Sequence, residues 1–315
     1  MTTQITGYWT FFCNPAKWEI DMFLATNTEY DSYQVADWQK SYFQPGQLGL
    51  IRVGLDNRTK EQLNGRAKLE AGIYAVVEII SSAKLREKKP DKYWREWTDK
   101  ELKKPIVEIR YLKNLLNFPI RLTTLKSDPT VSTDSYIING FQASSMPLQK
   151  IAFDKVIEII GAGEQIFENI EPEAVDTLDE IKHLEIKYKN ASPQVKEVIS
   201  RRIERGSISK DVKKLYNYQC KVCEALGEKP YSFKKTNGEH YIETHHIIPV
   251  ANLTQGTLGI SNLITVCANH HRQFHYGNIE IIENSIEYLV LTIDGQTIRT
   301  TKQIFPAHHK PNRTE

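Results

Sequence analysis

Short apolar runs bounded by glycine, proline or asparagine dominate the first half of the chain. "GYWTFFCNP" (7–15), "QLGLIRVG" (47–54), "AGIYAVVEIISSA" (71–83) and "PIVEIRYL" (105–112) are rich in aromatic and β-branched residues, and each reads as a strand. The period then changes. "PLQKIAFDKVIEII" (147–160) has apolar residues at helical spacing, Pro147 near its start and Gly161 just past its end, which predicts a helix. These elements predict a barrel-like α+β domain ending near residue 162. "SPQVKEVISRRIERG" (192–206) predicts a capped helix, from Ser192 and Pro193 to Gly206. After residue 277 the pattern returns to strands around an Asp-Gly turn, and the last ten residues read as a loose tail. The expected domains are 1–162, an acidic linker over 163–194, and 195–315.

Composition changes this picture in one place. The 315 residues carry a net charge of only +2, but 164–181 holds Glu164, Glu168, Glu171, Glu173, Asp176, Asp179 and Glu180 with no Lys or Arg. Subtracting those seven negative charges leaves +9 for the rest, which reads either as an ordinary soluble surface or as an electrostatic footprint for nucleic acid. The start has no basic, apolar signal sequence, and no apolar run is long enough to span a bilayer, so no membrane partner and a cytoplasmic location are expected. In that compartment disulfides are rare. Cysteines there more often bind metal.

Four residues have zinc-ligand type and spacing: Cys220, Cys223, Cys267 and His270, as C-x2-C and C-x2-H half-sites far apart. Cys13 stands alone in an aromatic segment and reads as a buried bystander. Residues 243–275, "ETHHIIPVANLTQGTLGISNLITVCANHHRQFH", hold five of the nine histidines. His271 and His275 are four apart on a predicted helix and share a face, while His270 points elsewhere. His245 and His246 are adjacent on a predicted strand, so they face opposite sides. One helix can thus serve two sites.

Residues 195–278 resemble the HNH, or ββα-metal, nucleases: a paired His ends the first strand, an Asn follows 16 residues after His246, and His271 comes 9 further on. The two half-sites resemble the zinc-stapled branch of that family. The resemblance implies that His246 is the general base and that Asn262 ties down the loop that orients it. It implies that His245 and His271, with His275 as a further ligand, hold a catalytic Mg²⁺ or Mn²⁺, and it gives Glu243 a supporting role. The zinc would be structural.

Residues 5–162 resemble the EVE domain, a PUA-like relative of modified-base readers. The features are an aromatic first strand ending at Asn14-Pro15, Trp38 shortly before the "PGQ" of 45–47, the strand "AGIYAVVEI", and Gly140-Phe141-Gln142 before the last helix. The resemblance implies a flipped base held between aromatic walls. Trp9, Phe11, Trp38 and Phe141 are candidate walls, with core packing as the alternative for each. Gln142, Ser144 and Ser145 are candidate readers of the base edge. Trp18, Trp94 and Trp97 read as structural or surface residues.

Together these imply a modification-dependent (type IV) DNA endonuclease, with double-stranded DNA carrying a modified cytosine as partner. One such centre cuts one strand, so double-strand cleavage implies a homodimer or two meeting monomers. A reader of modified RNA and a non-catalytic binding protein are the competing classes.

Overall fold

The structure is a computed structural model and describes residues 5–87, 90–95, 103–161, 165–168, 170, 177–250 and 257–303. The chain divides into two compact units, Met1–Glu171 with Asn190–Val195, and Pro172–Lys189 with Lys196–Glu315. Trp97, His308, His309 and the carboxylates Glu164, Glu171, Glu173 and Asp176 lie outside the described residues.

The first unit is a mixed α+β fold around one eight-stranded sheet. Its strands are β1 (Tyr8–Cys13), β2 (Tyr30–Gln34), β3 (Leu48–Val53), β4 (Gly72–Ile79), β5 (Lys84–Glu87), β6 (Lys103–Asn114), β7 (Ile120–Arg121) and β8 (Ser145–Pro147). The main path runs β2-β6-β4-β3-β1-β8, with β5 on β6 and β7 on β4. Only β1 and β3 pair in parallel among the described strands. Every residue of β3 and β4 is buried, which is why these runs are apolar at successive positions rather than alternating.

Strand alternation sends Trp9, Phe11 and Cys13 into one buried apolar cluster of the unit. Trp9 stacks on Phe43 at 3.9 Å and donates its Nε1–H to Gln47 Oε1 at 2.9 Å. Phe11 meets Tyr33 edge-on at 4.8 Å. Tyr8, on the opposite face, packs on Phe153 of the Lys150–Ile160 helix. Gly49 lies opposite Trp9, where a Cβ would come within 2.7 Å of the Phe11 ring.

Beside this core lies a buried ion network. The Arg58 guanidinium, fully buried, grips both oxygens of Asp56 and donates to Asp21, while Arg66 and Arg95 pair with Glu19. Removing one partner of such a network strands a charge at a cost of about 3–5 kcal/mol.

The helix expected over 147–160 begins later, at Lys150. Ser145–Pro147 is instead the terminal strand of the sheet path, with Pro147 opposite Trp9. Proline lacks an amide hydrogen, so an end strand tolerates it. Gly161 closes the helix at φ +73°, in the left-handed region expected of a C-terminal glycine. The acidic stretch contains two helices, Gln165–Glu168 and Leu178–Tyr188. The second has a capping box between Thr177 and Glu180.

The second unit holds a ββα element: β9 (Glu243–His246) antiparallel to β10 (Leu263–Val266), then the helix Ala268–Tyr276. A meander follows, β11 (Ile279–Asn284), β12 (Tyr288–Ile293) and β13 (Gln296–Thr301). Asp294 and Gly295 at its second turn both have positive φ, as a two-residue hairpin turn requires. Ile264 and Val266 of β10 pack with Leu289, Leu291 and Ile298 of the meander and with Val222, so one small core joins these pieces.

The close approach of β4 to β7 yields a test. A Cβ on Gly72 would lie 2.2 Å from the Ile120 carbonyl oxygen, and backbone cannot swing aside as a side-chain tip can. Gly72→Ala is expected to cost about 1–3 kcal/mol and to lower the melting temperature of this unit by roughly 5 °C, read by calorimetry.

Candidate metal centre

The first cluster is built from two turns that present their ligands at helix starts. Cys220 is the N-cap of the Lys221–Ala225 helix, its sulfur accepting from the Cys223 amide, and Cys267 precedes the Ala268–Tyr276 helix. The sulfurs of Cys220, Cys223 and Cys267 lie 3.4, 3.4 and 3.3 Å from His270 Nδ1, and Cys223 and Cys267 are 3.9 Å apart. A tetrahedral zinc with thiolate and imidazole ligands has edges of about 3.6–3.8 Å, so these four residues fit such an ion. Their acidities also conflict without one. Hydrogen bonding from Cys220 draws the Cys267 thiol down, while burial pushes the Cys223 thiol up. A dication removes that conflict by favouring all three thiolates. Cys13 lies in the other unit, buried beneath Trp18.

The second cluster is His245, His271 and His275, whose candidate ligand atoms all lie within 4.8 Å of one another. Ring centroids are 5.0, 4.8 and 4.9 Å apart. His271 and His275 share the helix face that looks at β9, one step round from His270. His245 Nδ1 and His271 Nε2 are buried and have no hydrogen-bond partner, which is what a cation would supply. The other nitrogen of His271, Nδ1, pairs closely with Glu243 Oε2, and the Tyr241 hydroxyl donates to Glu243 Oε1. A carboxylate behind the ring fixes its tautomer and leaves Nε2 as the donor atom. Burial, reinforced by His271, His275 and His246, pushes His245 down to about 3 despite Glu204, which keeps it neutral.

His246 faces away from this cluster, as strand alternation demands. Its Nδ1 lies 2.9 Å from Glu204 Oε1 and 2.8 Å from Ser200 Oγ, and its amide donates to the same Glu204 oxygen at 3.0 Å. Burial pushes Glu204 up, but hydrogen bonds from the His246 ring and amide, with the electrostatic influence of the two neighbouring imidazoles, outweigh it and hold the carboxyl low. An ionised Glu204 takes the Nδ1 proton as acceptor, leaving a lone pair on Nε2. That Nε2 is buried and unpartnered.

Asn262 directly precedes Leu263, the register partner of His246, and its carbonyl accepts from the Ile247 amide at 2.8 Å. Its Nδ2 donates to the carbonyls of Ile248 and Thr257 at 2.9 and 2.8 Å, and its Oδ1 accepts from the Ile248 amide at 2.9 Å. It therefore ties the chain after β9, at Ile248, to the chain before β10, at Thr257.

Three residues of this centre are absent from the motif: Ser200, Glu204 and Glu185. Ser200 and Glu204 are four apart on the Pro193–Arg205 helix and face the same ring. Their spacing is visible, but their partner is 42 residues away from Glu204. Burial raises the Glu185 carboxyl against the backbone amides of Gly259 and Leu258 and the charge of His246, and one of its oxygens is buried without a partner.

In the first unit the candidate base-pocket residues separate. Trp9 and Phe11 are fully buried core, so they do not form open walls; they stand on the inward face of β1, where core packing uses the rings. Ser145 is buried too, its hydroxyl donating to Gln39 Oε1 at 2.8 Å. Trp38 and Phe141 are about half exposed, Gln142 is exposed and Ser144 is half-buried. Gln39 returns a bond to the Ser145 carbonyl, so Trp38 and the 141–144 segment flank one junction. A groove of about 800 Å³ lined by Leu24, Asn27, Lys113, Phe118 and Arg121 holds none of these residues. No helix among the described residues is long and apolar enough to cross a membrane.

Comparison with known proteins agrees with this geometry in the second unit. The family model described as HNH endonuclease matches residues 220–277. Anaredoxin from a Nostoc species is 33% identical over 78 residues, covering 25% of this chain and 84% of that protein. This part of the chain belongs to the HNH endonuclease family. Among solved structures, a hypothetical protein from Leishmania major is similar with TM-score 0.35 and 16% identity, covering 50% of this chain and 94% of that one. Human THYN1, solved in complex with 5-methylcytosine-containing DNA, is similar with TM-score 0.31 and 15% identity, covering 52% and 99%.

Two tests follow from the clusters. Zinc analysis of the purified HNH protein is expected to find about one zinc per chain, lost in Cys267→Ala together with cooperative melting of the second unit. Acid is expected to destabilise that unit. The folded His245 pKa lies below its unfolded value of about 6.5, so this contribution is complete above that pH and is lost as pH falls towards 3. Thermal melts between pH 7 and 4 check the slope.

Proposed function

We propose that this HNH protein is a metal-dependent DNA endonuclease directed by a modified cytosine read by its first unit. The observation that carries the nuclease half is the free Nε2 of buried His246, backed by Glu204, on the residue next in the chain to His245 of the three-histidine cluster. His246 Nε2 takes a proton from the attacking water. The charge that develops on the ring is met by Glu204 through Nδ1. Water adds to phosphorus as the bond to the 3′ oxygen breaks, and that oxygen takes a proton from solvent, giving a 5′-phosphate and a 3′-hydroxyl. His245, His271 and His275 would hold Mg²⁺ or Mn²⁺, which supplies Lewis acidity to the phosphate and the leaving oxygen. Cys220, Cys223, Cys267 and His270 would hold the structural zinc. Asn262 keeps the loop before β10 in place, and Ser200 supports the His246 ring.

The reader half rests on the EVE-like sequence features and on the exposed Trp38 and Phe141 near the Gln39–Ser145 junction. Trp38 and Phe141 are the walls this reading retains, with Gln142 and Ser144 as edge readers. Restriction of modified foreign DNA, in the manner of type IV enzymes and phage defence, is the biological role that fits.

Cleavage of one DNA fragment made with cytosine, 5-methylcytosine, 5-hydroxymethylcytosine or its glucosylated form tests both halves. Cutting confined to modified DNA supports the reader, whereas equal cutting of all four removes it and keeps the nuclease. His246→Ala is expected to lower the rate by about 10²–10⁴ with DNA binding retained. Glu204→Gln is expected to lower kcat more than it raises KM, because it acts through His246.

A further inference from the structure

Residues 229–241, "KPYSFKKTNGEHY", lie inside the HNH match but supply no residue to either cluster. They form a closed hairpin. Lys234 bridges to His240, Tyr241 N donates to the Phe233 carbonyl at 2.8 Å, and Lys235 N donates to the Glu239 carbonyl at 2.8 Å. Gly238 turns the tip at φ +85°. Glu239 is held by the Tyr218 hydroxyl, Lys235 and Asn237, so the arm is fixed to the unit at that point.

This arm presents an aromatic ring to solvent on a rigid support. Phe233 stacks on Tyr241 at 4.9 Å with only 13° between planes, yet it is 63% exposed. Hydrophobic packing would have covered the second face. The supporting ring leads to the candidate centre, since the Tyr241 hydroxyl donates to Glu243 and Glu243 pairs with His271. Cations surround the arm. Lys210, Lys213 and Lys234 have no ion pair among the described residues, and Lys213 lies within electrostatic reach of Lys210, Lys235 and Glu243. An open aromatic face among unpaired lysines matches a nucleic-acid strand: the face takes a base, and the lysines take phosphates.

We propose that the 229–241 arm grips the DNA strand being cut, with a base stacked on the open face of Phe233 and phosphates on Lys210, Lys213 and Lys234. The inference rests on the nuclease reading and adds to it a surface that leads the strand to the three-histidine cluster through Tyr241, Glu243 and His271.

The test uses the full-length His246→Ala protein with Mg²⁺ and a duplex carrying 2-aminopurine at positions flanking the cut. Adding Phe233→Ala is expected to weaken binding about tenfold and to abolish the fluorescence change at one of those positions; Phe233→Trp restores both. Lys213→Ala is expected to reduce the slope of log K against log salt by about 0.9 while leaving the fluorescence change intact. Unchanged affinity and fluorescence in Phe233→Ala overturns the arm, and so does a loss that Phe233→Trp fails to restore. Cleavage by the otherwise wild-type chain decides the nuclease reading separately: DNA cut normally with Phe233→Ala inert in binding sinks the arm alone.

Discussion

The second unit depends on one constraint, the pinning of the Ala268–Tyr276 helix at its first turn. Cys267 and His270 converge with Cys220 and Cys223 there, so the helix can neither slide nor rotate without parting these atoms. A helix turns about 100° per residue, so fixing His270 also fixes the direction of its neighbour. His271 and His275 are thereby aimed at β9. The core under this element is small, and an ion held by these four residues at the helix start would give it an order that apolar burial alone would not.

The pair His245-His246 divides the chemistry by the geometry of a strand. One ring looks at the helix and the other looks at Glu204 and Ser200. Each face then tunes its own ring. Burial and neighbouring imidazoles keep His245 neutral, suited to donate a lone pair, while a low-lying carboxylate orders the tautomer of His246. Adjacent residues of the same type therefore acquire different proton behaviour within one unit. Asn262 holds the loop that joins these strands by bonding to both its ends, a task for which an amide with donor and acceptor is well suited.

The first unit follows a different logic. Its central strands are buried on both faces, so large aromatic rings are consumed by the core rather than spared for a ligand. Trp9 shows why an aromatic residue in a motif is weak evidence of a pocket. Its ring stacks on Phe43 and its nitrogen is satisfied by Gln47, so it makes its interactions inside the protein. Trp38, only 29 residues on in the chain, sits in a short 3-10 turn and stays half exposed.

By itself the sequence showed the four main strands of the first unit and the residue types that gather in the two clusters, because ligand type, local spacing and periodicity are properties of short segments. Cys220-x-x-Cys223 and His271-x-x-x-His275 are legible for that reason. It also placed the Asp294-Gly295 turn and the Gly161 helix end, where backbone conformation selects the residue. Only the tertiary structure decided which aromatics open to solvent, where Pro147 falls, and that Ser200, Glu204 and Tyr241 support the histidines. Those outcomes depend on partners distant in the chain. A side chain's burial or hydrogen bond is set by what the fold brings against it, which no local pattern encodes.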